Sequence, residues 1–250
     1  MTPSLISLTF DDGLRCQLER AVPVLDRYGF SATFFLIANT DPIQTDGCPH
    51  PDWAKITWSE QDICLLRSMA TRGHEIGAHS VHHRPPFLDD DPNGEAAGSK
   101  HWIESRLAIE VSSYSYPFYR VTKPIKKAVI DAGYLQARAG ADKSFHDSQS
   151  SLDWFKVDCR EILKTGEIVD GWLRPGYWHV LTYHGIGDHR DGWAPVSEAE
   201  LDQQMAQLAT LRDSGIAEVV TFNKGANRLR RLQIARSLRS GSGIRFTRFK

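Results

Sequence analysis

The sequence predicts an α/β fold with a mainly parallel sheet, open or closed into a barrel. Three observations carry this. Short apolar runs alternate with stretches of helical periodicity. The strongest runs, Leu5 to Phe10 and Ala32 to Ala38, are nearly continuous in apolar residues. Parallel strands covered on both faces have that composition. Several helical stretches end at a glycine, which accepts the left-handed turn that stops a helix.

The elements follow in order. Leu5 to Phe10 reads as a buried strand, then Arg20 to Tyr28 as a helix stopped by Gly29. Ala32 to Ala38 is the second strand. Ser59 to Arg72 is a helix, with Ser59 as N-cap and Gly73 as stop. His74 to Ala78 is a short strand, Trp102 to Val111 a helix, and Ser113 to Tyr116 a strand. Pro124 to Ala132 is a helix closed by Gly133, and His179 to Tyr183 a strand. Ser197 to Ser214 is a helix that opens on the capping box Ser197-Glu-Ala-Glu200. Ala217 to Thr221 is the last strand. Residues 40–58 and 84–100 are rich in Pro, Asp, Asn and Gly and read as surface loops. Asp89, Asp90 and Asp91 fall in the second and read as solvated.

The chain has 250 residues and a formal net charge of -1. That length suits one domain or two small ones. The near-neutral balance offers no electrostatic basis for nucleic-acid or membrane binding. No run approaches the ~20 apolar residues of a membrane span. No signal peptide is visible, so a cytoplasmic protein is expected, or a secreted one if a leader has been removed. Cys16, Cys48, Cys64 and Cys159 form no C-x-x-C pair and are expected to be buried thiols. From Lys224 to Lys250 there are nine basic residues and no acidic one. This tail reads as a surface helix and an edge strand, or as a contact for an anionic polymer or partner subunit.

The chemistry gathers at strand ends. Thr9-Phe10-Asp11-Asp12-Gly13 places two carboxylates after the first strand. Side chains alternate along a strand, so the two aspartates point differently and can take separate roles. His79-Ser80-Val81-His82-His83 follows the third strand. On a helical turn a spacing of four puts His79 and His83 on one face, within reach of one ion. His82 would point elsewhere. With Asp12 they offer two nitrogens and one oxygen, leaving positions open for water and substrate. His184 follows the strand His179 to Tyr183. Asp11, Asp12, His79, His83, Pro117 and His184 thus all fall at C-terminal strand ends, which share one face in parallel α/β folds.

These segments resemble the NodB-homology polysaccharide deacetylases, carbohydrate esterase family 4. Thr9 to Gly13 is similar to the first family motif, and His79 to His83 to the second, H-[ST]-x-x-H. Leu181 to His184 is similar to the last. The resemblance runs from about Leu5 to Phe222. It implies a distorted (β/α) barrel with about seven parallel strands, over residues 1–225, with 226–250 as a basic extension packed on the same domain. It implies that Asp12, His79 and His83 hold a divalent metal, usually zinc, that Asp11 is the general base and that His184 is the general acid.

Two departures stand out. The third family motif commonly reads R-x-P-[FY], and here Ser115-Tyr116-Pro117-Phe118 puts serine where arginine is common. That arginine would steady the base carboxylate through a fork of hydrogen bonds, so the tuning of Asp11 is in question. Tyr116, Pro117 and Phe118 are then expected at the oxyanion and substrate pocket. Asp153-Trp154 resembles the family's D-W, in which the aspartate orients the acid histidine and the tryptophan lines the pocket.

The function expected is metal-dependent removal of acetyl groups from a carbohydrate, with an N-acetylglucosamine-type glycan preferred. The alternatives are an acetyl xylan esterase, a hydrolase of C–N bonds in a small non-sugar amide, and a non-catalytic carbohydrate-binding relative. Trp53, Trp58, Trp102, Trp172, Trp178 and Trp193 lie in or near expected loops, where aromatic faces can stack on sugar rings. No partner beyond the acetylated carbohydrate follows from the sequence, which also leaves the oligomeric state open.

Overall fold

The computed structural model describes residues 2–39, 53–140, 145–147, 151–162 and 173–240. Nine strands form one curled sheet. β1 (Ser4–Phe10), β2 (Thr33–Leu36), β3 (Glu75–Ala78), β4 (Ser113–Ser115) and β5 (Gln136–Arg138) follow one another across it. On the other side of β1 stand β8 (Trp178–Tyr183) and then β6 (Phe145–His146), while β7 (Arg160–Glu161) also pairs with β8 and β9 (Ala217–Val219) with β1. All pairs are parallel except β6 with β8. This is the distorted barrel that the resemblance implies. β5, β6 and β7 are short strands for which two or three residues give no readable apolar period.

The helices are α1 (Val22–Tyr28), α2 (Glu60–Thr71), α3 (Pro92–Leu107), α4 (Lys123–Asp131), α5 (Glu198–Asp213) and α6 (Phe222–Ser240). A π-helical turn, Gln17–Ala21, leads into α1. Ser59 caps α2 by accepting from Asp62 N, and the Ser197–Glu200 capping box opens α5. The helix expected over Trp102 to Val111 begins ten residues earlier, at Pro92. Asp91 caps it, accepting from Gly94 N at 2.9 Å, and proline at the first position suits a helix start. Gly94 and Gly98 lower the helical propensity and make this turn resemble loop. α6 runs through residues 225 and 226 without a break, and Ala226 and Leu229 are buried in the core. The stretch from Gly241 onward, Cys48 and Trp172 lie outside the described residues. Cys16 and Cys159 are buried, whereas Cys64 is exposed on α2, contrary to expectation. Among the described residues no helix is long and apolar enough to cross a membrane.

The alternation of strand side chains sorts the sheet into two chemistries. Ile6, Leu8 and Phe10 of β1, Phe34 and Leu36 of β2, and Leu181 and Tyr183 of β8 join the large core with α1 to α5. Phe10 stacks between Phe34 at 4.9 Å and Tyr183 at 5.1 Å. The opposite parity packs Leu5, Phe35, Trp178 and Val180 against Phe222, Ala226 and Leu229 of α6. Toward the C-terminal strand ends the residues of that second parity turn polar: Thr9 and then Asp11, Thr182 and then His184, His79 after β3, Ser115 in β4, and Arg138 in β5. One face of the sheet therefore changes from apolar packing to ionisable groups within a few residues.

Candidate active site

Asp11 continues β1, its N–H donating to Tyr183 O at 3.1 Å. The side chain is buried, and its Oδ2 lies 3.9 Å from His184 Nε2 and 3.8 Å from His79 Nε2. Its Oδ1 is buried with no hydrogen-bond partner. Gln17, buried on the π-helical turn, donates through Nε2 to the carbonyl oxygens of both Asp11 and His184, the latter at 2.9 Å. One amide thus ties the two strand ends that carry the expected base and acid.

Asp12 would point away by strand parity, but it takes a left-handed φ of 76°. The chain leaves the strand there, and the carboxylate turns toward the histidines. Its Oδ1 stands 3.5 Å from His79 Nε2 and 3.4 Å from His83 Nε2, and the two ring nitrogens are 3.2 Å apart. The histidines do not lie on a helical turn, as their spacing suggests. They converge because Ser80 and His83 adopt left-handed φ values of 65° and 53°. Ser80 Oγ accepts from His83 N at 2.8 Å and closes the loop. Glu95 of α3 accepts from Val81 N at 2.9 Å and His82 N at 2.8 Å, and also bonds the His82 ring. His82 therefore faces away from the site.

The Asp12, His79 and His83 set fits a divalent metal. His79 Nδ1 meets the carbonyl of Ser115 at 2.8 Å. A carbonyl only accepts, so Nδ1 carries the proton, and Nε2 is the nitrogen that faces Asp12 and His83. The three facing donor atoms form a triangle with edges of 3.2–3.5 Å. Ligands roughly 2.0–2.1 Å from a tetrahedral zinc lie about 3.3–3.4 Å from one another. Burial pushes the His83 imidazole down to about 3, so it is neutral and ready to bind. Burial alone would raise the Asp12 carboxyl, but the hydrogen bond to His79 and the nearby imidazoles outweigh it and hold the group ionised.

The arginine missing from the third motif comes from another strand. Arg138 of β5 is fully buried, and its Nη2 donates to Asp11 Oδ2 and to Ser115 Oγ. Its Nη1 donates to Thr182 Oγ1 and to Cys159 Sγ, each at 2.9 Å. Burial would lower the guanidinium pKa, but the Asp11 charge more than offsets it, so the group stays cationic. With serine at 115, Asp11 thus takes its guanidinium partner from β5. Sequence reasoning missed Arg138 because β5 carries no readable strand pattern. The available signal is one arginine inside the run Leu135-Gln-Ala-Arg-Ala139.

The carboxylate beside His184 is Glu161 of β7, whose Oε1 lies 3.5 Å from His184 Nδ1. Asp153, expected in that role, instead pairs with Lys126 and accepts from Phe155 N at 3.1 Å. Trp154 lies against Arg230, 4.2 Å from the guanidinium, rather than in the pocket. Tyr116 also departs from expectation: its ring is in the core and its hydroxyl donates to Phe155 O. Pro117 is buried beside it. Phe118 does reach the site, 4.8 Å from the His83 ring, on a backbone with φ of 56°. Next to it Tyr119, with φ of 59°, donates its hydroxyl to Glu161 Oε1 at 3.1 Å.

These groups line one open pocket of about 470 Å³, formed by Asp11, Asp12, His79, His83, Phe118, Tyr119, Arg120, Glu161, His184 and Trp193. Among the described residues Trp193 is the tryptophan that reaches it. Trp58 and Trp178 are buried in the body.

Comparison with known proteins bears on the fold and the family. The chain is 29% identical over 131 residues to YxkH of Bacillus subtilis, assigned to the polysaccharide deacetylases; the match covers 52% of this chain and 42% of that relative, so it spans less than half of YxkH. A polysaccharide deacetylase-family structure from Mycobacterium smegmatis superposes with a TM-score of 0.63 at 16% identity, covering 92% of this chain and 91% of the other. The Bc1960 peptidoglycan N-acetylglucosamine deacetylase gives 0.57 at 19% identity, covering 88% and 86%. At these identities the structures establish the shared fold. The sequence profile of the family called polysaccharide deacetylase matches residues 1–137, which contain Asp11, Asp12, His79 and His83. With more than half its length matched, the chain belongs to the polysaccharide deacetylase family.

Proposed function

We propose that the protein is a metal-dependent hydrolase that removes acetyl groups from an N-acetylglucosamine-type glycan. The observation that carries this reading is the facing pair of Asp11 and His184, 3.9 Å apart at the edge of a three-ligand metal triangle in one pocket. A binding module has no use for a base and an acid beside such a triangle.

A divalent ion held by Asp12, His79 and His83, zinc being the expected one, would polarise the acetyl carbonyl and acidify a water. Asp11 then takes the proton of the attacking water. Arg138 and Ser115 engage Oδ2, which leaves Oδ1 without a partner and available for that proton. The N–H of Phe118, at the pocket wall, steadies the oxyanion that forms on the carbonyl oxygen. His184 gives a proton to the leaving nitrogen, and Glu161 balances the imidazolium from the Nδ1 side. The same groups serve an acetyl ester, where the leaving oxygen needs the proton less.

The test is acetate release from N-acetylglucosamine oligomers and acetylated xylan, on chelated protein with and without added zinc. Zinc-dependent release is expected. Asp11→Asn and His184→Ala should keep bound zinc and lose about 10²–10⁴-fold in turnover. No release from any sugar by zinc-loaded protein would refute the reading, and near wild-type turnover in either variant would refute that residue's role.

A further inference from the structure

Trp193 combines exposure with fixed placement. It is 54% exposed, and among the described residues it is the exposed large apolar side chain that lines the pocket. Its backbone oxygen accepts from Gly185 N, next to His184, at 3.2 Å. Its indole N–H donates to Glu161 Oε1 at 3.1 Å. The segment before it packs against the chain after His184 so closely that a Cβ on Gly192 would stand 2.8 Å from Gly185 Cα and 2.5 Å from Leu14 Cδ1. An ion pair between Arg20 and Asp191, 2.7 Å, and the Cys16 thiol donating to Asp191 O at 3.0 Å hold the loop from below. The indole is thus pinned at backbone and side chain while about half of the residue stays exposed.

Glu161 Oε1 is where this pinning meets the acid. One oxygen accepts from Trp193 Nε1 and from Tyr119 OH, each at 3.1 Å, and lies 3.5 Å from His184 Nδ1. An indole presents an apolar face and one polar edge. Here the polar edge is spent inward on Glu161, so the exposed part of the indole is apolar and suits the C–H face of a pyranose ring. A ring seated there would also exclude water from the Glu161–His184 contact, and charge pairs strengthen as water leaves.

Resting on the function proposed above, we infer that Trp193 is the platform for a sugar ring of the substrate and the fastening of Glu161, so that ring occupancy reaches His184. Trp193 would be a specificity-determining and positioning residue. Substrates that place a pyranose ring on it should gain in turnover as well as in affinity.

Two measurements on the zinc-loaded full chain test this, with N-acetylchitotetraose as probe. Trp193→Ala should weaken binding of the oligomer about tenfold or more, the scale of a lost stacking contact. Trp193→Phe retains a stacking face but loses the N–H. It should hold affinity within about threefold while kcat falls roughly tenfold, as a lost bond to a charged group predicts. Glu161→Gln should reproduce that fall in kcat. Unchanged oligomer affinity in Trp193→Ala overturns the platform, and wild-type kcat in Trp193→Phe overturns the coupling to Glu161. If wild-type protein binds the oligomer without releasing acetate, the proposed function fails while the platform still stands or falls by the affinity of Trp193→Ala.

Discussion

Ser115 and Arg138 stand opposite each other in register on β4 and β5, with their side chains on one face of the sheet. Neighbouring strands lie ~4.8 Å apart, so a guanidinium rooted at 138 reaches the carboxylate that an arginine at 115 would otherwise engage. The small Ser115 side chain leaves the space and donates to Asp11 Oδ2 itself, at 3.4 Å. Asp11 is thus held from β5, one strand over from Ser115.

That placement can be tested. Arg138→Ala removes the cation from a buried carboxylate, a change that costs about 3–5 kcal/mol when it strands a buried charge. Its kcat should fall by about 10²-fold, because the base is no longer held in line. Adding Ser115→Arg in the same chain should recover part of both losses. Thermal unfolding and acetate release on the two variants settle the matter. A double variant no better than Arg138→Ala would show that the two positions do not exchange roles.

Glu95 supports the loop of the proposed metal ligands without itself belonging to their triangle. It accepts from two consecutive backbone N–H groups inside the ligand loop, at Val81 and His82. Without it, the N–H groups of Val81 and His82 lose their acceptor, and the loop keeps the Ser80 hydroxyl bond to His83 N and the bonds that Ala38 N and Asn39 N donate to Ser80 O and Val81 O. Removing such an outer partner typically lowers metal affinity about 10–100-fold. Competition with a chelator on Glu95→Ala should show a fall of that order with the fold intact. Wild-type zinc affinity would assign Glu95 to helix packing instead.

Much of this site is legible in the amino-acid sequence, and the reason is parity. Leu5 to Phe10 is a strand whose even positions are all large and apolar, so Asp11 must emerge on the opposite face. His79 and His184 follow strands of the same kind. Arg138 and Glu161 obey the same rule, yet they sit in strands of three and two residues. So few residues carry no apolar period, and their strand geometry comes from pairing with β4 and β8 rather than from local preference. Asp153 is a better sequence match for the acid's partner than Glu161, but Lys126 holds it. The His79 and His83 pair does converge, though not by the helical turn that its spacing suggests. Two left-handed residues bring the rings together, and spacing alone cannot show that.

His74 should couple stability to pH away from the site. Its Nδ1 accepts from Ala32 N at 3.1 Å, and its Nε2 faces Asp26 Oδ1 at 3.3 Å. Burial lowers its pKa below 6.5, against the pull of Asp26 and with the help of the Arg72 charge. The unfolded chain then binds more protons than the folded one as pH drops below that value, so stability falls with pH there. One group contributes at most about 1.4 kcal/mol per pH unit. His74→Asn keeps an acceptor for Ala32 N and has no proton to gain. Urea unfolding followed as pH is lowered from about 6.5, the range in which an imidazole of lowered pKa takes its proton, should give a flatter profile for the variant. Parallel profiles would exclude His74 as a source.

The triangle of Asp12, His79 and His83 should also show itself without any substrate. The two imidazole nitrogens stand 3.2 Å apart, each within 3.5 Å of Asp12 Oδ1, so the folded chain presents three donor atoms together. The unfolded chain has no such triangle, so a metal binds the folded state selectively and stabilises it by mass action. At a free concentration about a thousand times Kd the gain is ~4 kcal/mol, which for a chain of this size raises Tm by on the order of 10 °C. His83 is already neutral at about pH 7, so binding displaces no proton from it. Thermal unfolding of chelated protein with stepwise zinc should therefore climb with the logarithm of zinc concentration. In Asp12→Ala the climb should be largely lost, since one of three ligands is gone. A wild-type Tm that ignores both chelator and zinc would remove the metal from this site and leave Asp11 and His184 without their electrophile.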